Sequence, residues 1–354
     1  MQADNPAGTN GFDFLEFTSP QPQQLVKHFE AMGFTKIGKH QFEDVTIFQQ
    51  NDIRFIINSS PHSMASRFAE KHGPAVSAMG FRVKNADAAF AYAVKNGAIA
   101  YEPAKDKVIY EIPTIHGVGN TLIYFVDHKN ETPNYLKHFS NLAASKQTGT
   151  GLTYIDHVTH NLYRGNLDKL ADFYTRLFNF REIRYFDIEG KLTGLKSRAM
   201  TSPCGKIRIP LNESSDDKSQ IEEFLKDFNG EGIQHIALGT NNIYDSVSQL
   251  RHHGLDFLET PDTYYDLIEK RLPQHGESLA ELKKLRILMD GDTKKEKRLL
   301  LQIFTKNMLG PAFFEIIQRK GDEGFGEGNF RALFESIELD QINRGVLSMD
   351  EARS

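Results

Sequence analysis

The sequence predicts an α+β protein made of duplicated βαβββ modules, four in all, that pair into two open half-barrels. Three observations predict this fold. The order of strand, helix and strands in residues 1–150 begins again after Gly151. A glycine follows a predicted helix at equivalent places in the two halves, at Gly97 and at Gly254. The segments that close the two halves, TLIYFVD and AFFEIIQ, are alike. We therefore expect a first domain over residues 1–150 and a second over residues 151–354.

In the first half, apolar residues recur at every second position in the predicted strands and at helical spacing in the predicted helices. Leu25, Phe29 and Met32 form the apolar side of the first helix. Residues 129–151 are polar and lack strong periodicity, which is typical of an interdomain connection. The predicted strands cover residues 12–17, 45–49, 54–58, 78–83 and 121–127, with another after Gly97, and the predicted helices cover 20–34 and 86–96.

The second half repeats this order with one insertion, residues 262–292, which we expect to be helical. On the strand that covers residues 299–304, Leu300, Gln302 and Phe304 share one face because strand side chains alternate. The other predicted strands cover residues 151–161, 180–188, 192–200, 206–212, 232–238 and 312–318, and the predicted helices cover 167–178 and the segment before Gly254.

The composition is that of a soluble globular protein, with 39% hydrophobic and 25% charged residues among 354. The net charge of -5 gives no general attraction for nucleic acid. The single cysteine, Cys204, cannot form an internal disulfide, which favours a reducing compartment. No apolar run approaches the ~18 residues of a membrane span, and the N-terminal segment lacks the pattern of a signal peptide. We expect a cytoplasmic protein that binds neither nucleic acid nor membranes.

Three residues in the second half occupy equivalent edges of successive modules: His157 in YIDHVTHN, His235 in GIQHIAL and Glu315 in FFEIIQ. They are far apart in sequence but suitably placed to meet across a curved sheet. Two imidazoles and one carboxylate with open coordination positions form the ligand set of non-haem Fe(II) oxygenases. The same set also serves catalytic Zn(II). The spacing thus predicts a metal without deciding which one.

Each of these residues also has a structural interpretation. A lone histidine in a strand is more often a hydrogen-bonded core residue than a metal ligand. Glu315 lies in the apolar run AFFEII and could form a buried salt bridge instead.

His160 is expected to face away from His157, because strand positions three apart point in opposite directions. In the first half the matching positions are Glu16, a slot over residues 78–80 and Tyr124, so we expect no metal site there.

Longer motifs surround the three predicted ligands. They include IDHVTHNLYRGN, FNFREIRYFDIEGKLTGL, IRIPLNE, SQIEEFL, EGIQHIA, DTYY, LLLQIFT, FFEIIQRKG and GFGEGNF. Together they resemble the bacterial 4-hydroxyphenylpyruvate dioxygenase family, densely in the second half and more loosely in the first.

The resemblance implies a vicinal-oxygen-chelate (glyoxalase-like) fold with one Fe(II) per subunit, held by His157, His235 and Glu315. The substrates would be 4-hydroxyphenylpyruvate, whose 2-oxo acid chelates the iron, and O2. The products would be homogentisate and CO2, in the breakdown of tyrosine and phenylalanine. Family precedent also implies a homodimer or homotetramer.

The family's pocket maps onto further residues of this sequence. The resemblance implies that the polar residues Gln234, Gln302 and Asn212 act in catalysis, and that the substrate is bound by Ser197, Gln220, Phe304, Phe325 and Phe330. Gln234 adjoins His235, so a regular strand would point it away from the metal; a bulge or a role behind the ligand is required.

The chain after the glycines of GFGEGNF is predicted to be a helix, in which Asn329 is the N-cap and Phe330, Leu333, Phe334 and Ile337 form an apolar stripe. This stripe is typical of plain packing; the resemblance implies a lid over the pocket, with the glycines as its hinge.

Three alternatives to the implied activity remain open. A 4-hydroxymandelate synthase would share the fold, metal and substrate but oxidise the benzylic carbon. A ring-cleaving catechol dioxygenase would share the ligands, and a metal-free binding protein would share only the duplicated barrel.

Overall fold

The computed structural model describes residues 4–103, 106–142, 148–189, 194–217, 219–294, 296–329 and 332. The four residues of the predicted lid stripe, Phe330, Leu333, Phe334 and Ile337, lie outside these residues. Among the described residues, no helix is both long and apolar enough to cross a membrane.

The first half folds into a mixed sheet in which the strands follow the order β10-β2-β3-β4-β1-β5-β7-β6, beside a separate pair, β8-β9. Short 3-10 turns cover Val118–Asn120 and Asn134–His138. The elements are β1 (Thr9–Thr18), α1 (Pro22–Ala31), β2 (Thr35–His40), β3 (Val45–Gln50), β4 (Ile53–Asn58), α2 (Met64–His72), β5 (Ala75–Val83), α3 (Ala86–Lys95), β6 (Thr114–His116), β7 (Leu122–Val126), β8 (His128–Lys129), β9 (Thr132–Pro133) and β10 (Phe139–Ser140).

The second half forms a sheet of the same plan, in the order β12-β13-β14-β11-β15-β18-β17-β16. Its elements are β11 (Leu152–Leu162), α4 (Leu167–Phe178), β12 (Arg181–Glu189), β13 (Gly194–Thr201), β14 (Arg208–Ser214), α5 (Gln220–Asp227), β15 (Gly232–Thr240), α6 (Ile243–His252), α7 (Asp262–Asp266), α8 (Ile268–Arg271), α9 (Leu279–Leu285), β16 (Leu288–Asp292), β17 (Arg298–Phe304) and β18 (Phe313–Lys320).

The pairing of the central strands is repeated in the two sheets. In the first, β1 pairs parallel with β4 and antiparallel with β5, and β5 pairs parallel with β7. In the second, β11 pairs in the same way with β14 and β15, and β15 pairs with β18. The predicted α+β fold of duplicated modules is therefore confirmed.

The register corrects one predicted correspondence between the halves. Tyr124 pairs with Gly80, which pairs with Phe14. Glu315 likewise pairs with Ala237, which pairs with His157. Phe14, and not Glu16, therefore occupies the place of His157. The prediction was wrong by two strand positions, and the alternating apolar pattern could not correct it because a shift of two leaves that pattern unchanged.

The two sheets share one large apolar core. The ring centre of Phe314, in the second half, lies 6.4 Å from that of Phe17 and 5.9 Å from that of Phe55, both in the first half. Leu301 belongs to this core, whereas Leu300 packs on the other face with residues Ala237 and Ile317. The predicted alternation of strand β17 is thus confirmed.

Several elements differ from the prediction. Only a single bridge, from Ala100 to Ile115, forms where a strand was predicted after Gly97. The insertion ends in the strand β16 rather than in a helix, because its last residues pair with β17. Residues 129–142 contain β9, a 3-10 turn and β10, which pairs with β2. That part of the predicted connection therefore belongs to the first sheet.

Candidate metal centre

His157, His235 and Glu315 converge at the middle of the second sheet, on the face opposite the shared core. The Nε2 atoms of the two histidines lie 3.4 Å apart. Oε2 of Glu315 lies 3.2 Å from Nε2 of His157 and 3.5 Å from Nε2 of His235. Within the described part of the chain, these three residues are the group able to hold a metal ion.

His157 is oriented by the residue that precedes it in the sequence. The pairing of β11 with β15 slips between Ile155 and His157, so Asp156 occupies a bulge. The bulge allows Asp156 and His157 to interact although they are neighbours in one strand. Nδ1 of His157 donates to Oδ1 of Asp156 at 2.8 Å, which leaves Nε2 free for a metal.

His235 is oriented in the same manner. A second slip, between His235 and Ile233, places Gln234 in a bulge of β15. Nδ1 of His235 donates to Oε1 of Gln234 at 2.6 Å. The hydroxyl of Thr159 lies 2.9 Å from Nε2 of His235 and can donate to it. Gln234 therefore both occupies a bulge and lies behind the ligand, so the two arrangements expected from its position in the sequence occur together.

The first sheet has bulges at the matching positions. Asp13 is skipped between Phe12 and Phe14, and Ser77 is skipped between Ala78 and Val76. Asp13 thus corresponds to Asp156, and Ser77 to Gln234. The duplication extends to the irregular backbone, but not to the two histidines.

The electrostatics of the three predicted ligands depend on one another. Burial acts to raise the pKa of Glu315, but the two histidines hold it below its ordinary value. Burial acts to lower the pKa of His157, yet the charges and hydrogen bonds of Glu315 and Asp156 raise it overall. Burial lowers the pKa of His235 despite its hydrogen bond with Glu315. The carboxylate is thus kept ionised inside the protein, as a metal ligand must be.

These residues fit a divalent metal ion. Imidazole nitrogens and carboxylate oxygens bind such ions at about 2.0–2.2 Å, so donor atoms up to about 4 Å apart can share one ion. The observed separations of 3.2 to 3.5 Å satisfy this condition. Oε1 of Glu315 is buried without a hydrogen-bond partner among the described residues, as expected for a ligand group.

His160 takes no part in this centre. It is fully buried, and its Nε2 lies 2.8 Å from the hydroxyl of Tyr174 in the shared core. Burial lowers its pKa to about 3, so the ring is neutral. The prediction that His160 faces away from His157 is confirmed by these contacts.

Aromatic rings enclose the three ligands. The Phe325 ring meets that of His157 edge to face, with ring centres 5.2 Å apart. Phe313 stacks on His235 at 5.1 Å, and Phe304 lies 6.5 Å from the same histidine. Phe304 and Phe325 were singled out from the sequence, whereas Phe313 was not. Its position on the same strand face as Glu315, two residues away, is the signal that would have found it.

The predicted polar residues lie in different places. Ser197 pairs with Asn212, which pairs with Asn161, so the three form a row across adjacent strands. Gln302 is buried against Gly326, and its Oε1 has no partner among the described residues. Gln220 is exposed at the start of α5. Phe330 lies outside the described residues.

Asn161 was missed by the sequence reasoning. It shares a strand face with His157 and Thr159 and is fully buried. Neither atom of its side-chain amide has a hydrogen-bond partner among the described residues. A buried side-chain amide ordinarily forms hydrogen bonds within the protein. The unpaired amide of Asn161, beside Asn212, is therefore suited to form hydrogen bonds with a polar ligand.

Asp156 connects the metal centre to the glycine-rich segment that follows β18. Its carboxylate accepts two hydrogen bonds from Arg319, at 2.7 and 2.8 Å. Arg319 in turn donates to the carbonyls of Asp322 and Gly324. The predicted N-cap, Asn329, is instead the third residue of a helical turn that begins at Glu327. Its Oδ1 accepts from Tyr264 at 2.6 Å and from Arg271 at 3.2 Å.

Comparison with known proteins agrees with this architecture. Residues 154–267 match the Glyoxalase/Bleomycin resistance protein/Dioxygenase superfamily, and residues 3–139 match the family described as the N-terminal region of hydroxyphenylpyruvate dioxygenase. The fold and its half-barrel site therefore define a member of the glyoxalase and dioxygenase superfamily.

Individual relatives narrow the assignment. The chain is 54% identical to 4-hydroxyphenylpyruvate dioxygenase of Legionella pneumophila (strain Corby), over 98% of this chain and 99% of the relative. It is 53% identical to 4-hydroxyphenylpyruvate dioxygenase of Pseudomonas aeruginosa, over 98% of each. The chain belongs to the 4-hydroxyphenylpyruvate dioxygenase family.

A solved structure shows a related fold. A triple mutant of 4-hydroxymandelate synthase from Streptomyces coelicolor superposes with a TM-score of 0.77 and 25% identity, over 94% of this chain and 99% of that one.

Proposed function

We propose that the protein is an Fe(II)-dependent dioxygenase that converts 4-hydroxyphenylpyruvate and O2 to homogentisate and CO2, in tyrosine and phenylalanine catabolism. The observation that carries the proposal is the convergence of His157, His235 and Glu315 in a chain that is 54% identical to a relative of that name. Ligand atoms 3.2 to 3.5 Å apart suit one ion per chain. We further propose that the site belongs to residues 151–354 and that residues 1–150 hold no iron.

Ferrous iron held by these residues would supply the redox chemistry with O2 that amino-acid side chains lack. Asp156 and Gln234 fix the two imidazoles with Nε2 toward the ion. The rings of Phe304, Phe313 and Phe325 exclude water from it, which strengthens every electrostatic interaction inside. The residues of this chain thus orient the reactants and keep the chamber dry.

The substrate-binding roles that we propose are supported by strand register and, for Asn161 and Gln302, by side-chain atoms without a hydrogen-bond partner among the described residues. We assign Ser197 and Asn212, with Asn161 beside them, to one end of the substrate, since their row lies on the same sheet face as His157. Gln302, whose Oε1 is buried without a partner in the described part of the chain, is assigned to a second polar contact. Phe304 and Phe325 are assigned to the walls against its aromatic ring. Gln220 and Phe330 stay predictions, because one is exposed here and the other is outside the described residues.

The test is product analysis. Anaerobic protein is loaded with Fe(II), mixed with 4-hydroxyphenylpyruvate and O2, and the products are separated by chromatography. We expect homogentisate and CO2 in equal amounts. The variant His235→Ala should lose both iron and product, whereas His252→Ala, at an exposed histidine, should lose neither. No O2 uptake above that of the metal-free protein would contradict the proposal.

The second candidate is 4-hydroxymandelate synthase, which the structural similarity to the Streptomyces coelicolor protein favours. The same experiment separates the two, because 4-hydroxymandelate and homogentisate differ in chromatography. Oxygen uptake with catechol in place of the 2-oxo acid would indicate a ring-cleaving enzyme instead.

We also propose a cytoplasmic homodimer or homotetramer. The lone thiol of Cys204 supports a reducing compartment. Light scattering coupled to size-exclusion chromatography measures the oligomeric state, and a monomer would contradict this part of the proposal.

A further inference from the structure

The first half-barrel contains a cavity of about 400 Å3 that the proposed reaction does not use. Such a volume falls within the range of small-molecule sites, about 300–1,000 Å3. Glu16 and Tyr124 contribute to it from the sheet, and Tyr101 and Tyr110 from the segment that covers the sheet. By register, Glu16 corresponds to Thr159 and Tyr124 to Glu315, so the cavity lies where the metal centre lies in the other half.

Glu16 is buried in this cavity with no cationic partner among the described residues. It is 1% exposed, and its Oε1 accepts from the hydroxyl of Ser77 at 3.1 Å. Its other hydrogen-bonding neighbours are Asn58 and Tyr110, which are also uncharged. Neither approaches Oε2 with full hydrogen-bond geometry, so this buried oxygen lacks a close donor in the described part of the chain. Leaving a buried carboxylate oxygen unsatisfied is costly unless a donor or a cation meets it.

The same strand shows how this fold pairs a buried carboxylate when no ligand is needed. Asp13 is fully buried and receives hydrogen bonds from Arg54, Arg82 and Tyr135. His128 lies against the same carboxylate at 2.5 Å. Glu16, three residues further on, has only uncharged neighbours in the described contacts, namely Ser77, Asn58 and Tyr110. The contrast indicates that a cation to balance Glu16 would come from outside the chain.

The walls around Glu16 are aromatic and uncharged. Tyr110 and Tyr124 meet edge to face with ring centres 5.4 Å apart. Burial, together with the nearby Glu16, raises the pKa of both phenols well above the ordinary value, so both stay protonated. Their ring faces carry partial negative charge and attract cations.

The charged groups at the mouth of the cavity add to this preference. Asp87 and Glu111 line it, and among the described lining residues Lys107 is the one cation. That lysine is already engaged by Glu43, at 3.1 Å. An anionic ligand would face an acidic site, whereas a cation would meet complementary charge.

We propose that this cavity is a second small-molecule site, which binds an organic ammonium ion carried on an aromatic body. The ammonium group would donate to Oε2 of Glu16, the tyrosine rings would surround it, and the aromatic body would lie along Phe90 and Ile112, which also line the cavity. The site is separate from the metal centre and does not depend on the proposed reaction.

The test uses isothermal titration calorimetry on the full chain at pH 8, above the pKa of about 7 that burial gives Glu16, with three probes of similar shape. These are 2-phenylethylamine, which is cationic, 2-phenylethanol, which is neutral, and 3-phenylpropanoate, which is anionic. We expect the amine to bind at least about tenfold more tightly than the alcohol, as a charge-assisted hydrogen bond provides. The amine affinity should be the same with and without a chelator, because the metal centre takes no part.

Two variants locate the binding. Glu16→Gln keeps the size of the side chain and should weaken amine binding at least about tenfold, whereas Glu30→Gln, at an exposed position, should not change it. Tyr110→Leu removes a ring without touching the carboxylate and should weaken binding about fivefold. Equal amine affinity in wild type and Glu16→Gln, or a preference for the alcohol, would overturn the proposal.

Discussion

The sharpest prediction concerns Asp156, which links His157 to Arg319. Asp156 is 1% exposed and Arg319 donates two hydrogen bonds to it. Asp156→Asn keeps the size of the side chain but turns an N–H group toward one of these donors. Removing one partner of a buried ion pair costs about 3–5 kcal/mol. We therefore expect the free energy of unfolding to fall by about that amount.

The same substitution should weaken metal binding. Asp156 fixes the ring of His157 through Nδ1, and loss of such a partner typically lowers metal affinity by about 10- to 100-fold. The duplication provides a matched control, because Asp13 makes an equivalent buried cluster beside Phe14, which is not a metal ligand. Asp13→Asn should destabilise the protein similarly and leave metal affinity unchanged.

Two measurements separate the effects. Urea denaturation of the metal-free proteins gives the loss of stability, and anaerobic calorimetric titration with Fe(II), under conditions where each variant is folded, gives the metal affinity. If Asp156→Asn binds iron as tightly as the wild type, or if Asp13→Asn weakens binding equally, the role assigned to Asp156 is wrong.

Three further predictions concern other residues. Burial raises the pKa of Glu16 to about 7, and the unfolded value is about 4.3. As pH rises, the unfolded chain therefore loses this proton before the folded chain does. Ionisation of Glu16 should make the free energy of unfolding about 2–3 kcal/mol lower at pH 8 than at pH 5. Urea denaturation at both pH values should show that this decrease is absent from Glu16→Gln. If the variant shows the same pH dependence as the wild type, Glu16 is not its source. In Gly326→Ala, the new Cβ would clash with the side-chain amide of Gln302 and displace it. Steady-state kinetics should therefore show kcat/KM for the keto acid reduced about tenfold. Gly205→Ala has a similar positive φ but open space around it, and should keep its activity; equal losses would point to backbone strain alone. Glu315→Gln removes the anionic ligand, so metal analysis after dialysis should find iron well below one per chain, and a full complement would exclude Glu315 as a ligand.

The sequence was sufficient to predict the duplicated fold and the three converging ligands. Alternating apolar residues define which strand face is buried, so the side of β17 that carries Gln302 and Phe304 followed directly from the pattern. The repeat of module order then placed His157, His235 and Glu315 at equivalent edges. These features depend on local periodicity and on repetition, which a single sequence contains.

Other features depend on pairing between distant segments, and the sequence did not reveal them. Asp156 looks like an ordinary strand residue until its partner Arg319 is seen beside it. The bulges at Asp156 and Gln234 also follow from register, which the apolar pattern fixes only to within a shift of two. The same ambiguity misplaced Glu16 on the position of His157. The α2 helix was missed although Ser63 caps it, since its side chain accepts from the backbone N–H of Ser66.

The repeated bulges have a consequence for redesign. The first sheet already has the irregular backbone that aims the ligands of the second, with Asp13 and Ser77 in the supporting places. Phe14, Ala78 and Tyr124 stand at the register positions of the three ligands. A twin centre would therefore need only side-chain replacements at these points, on a scaffold whose strand crossings are already in place.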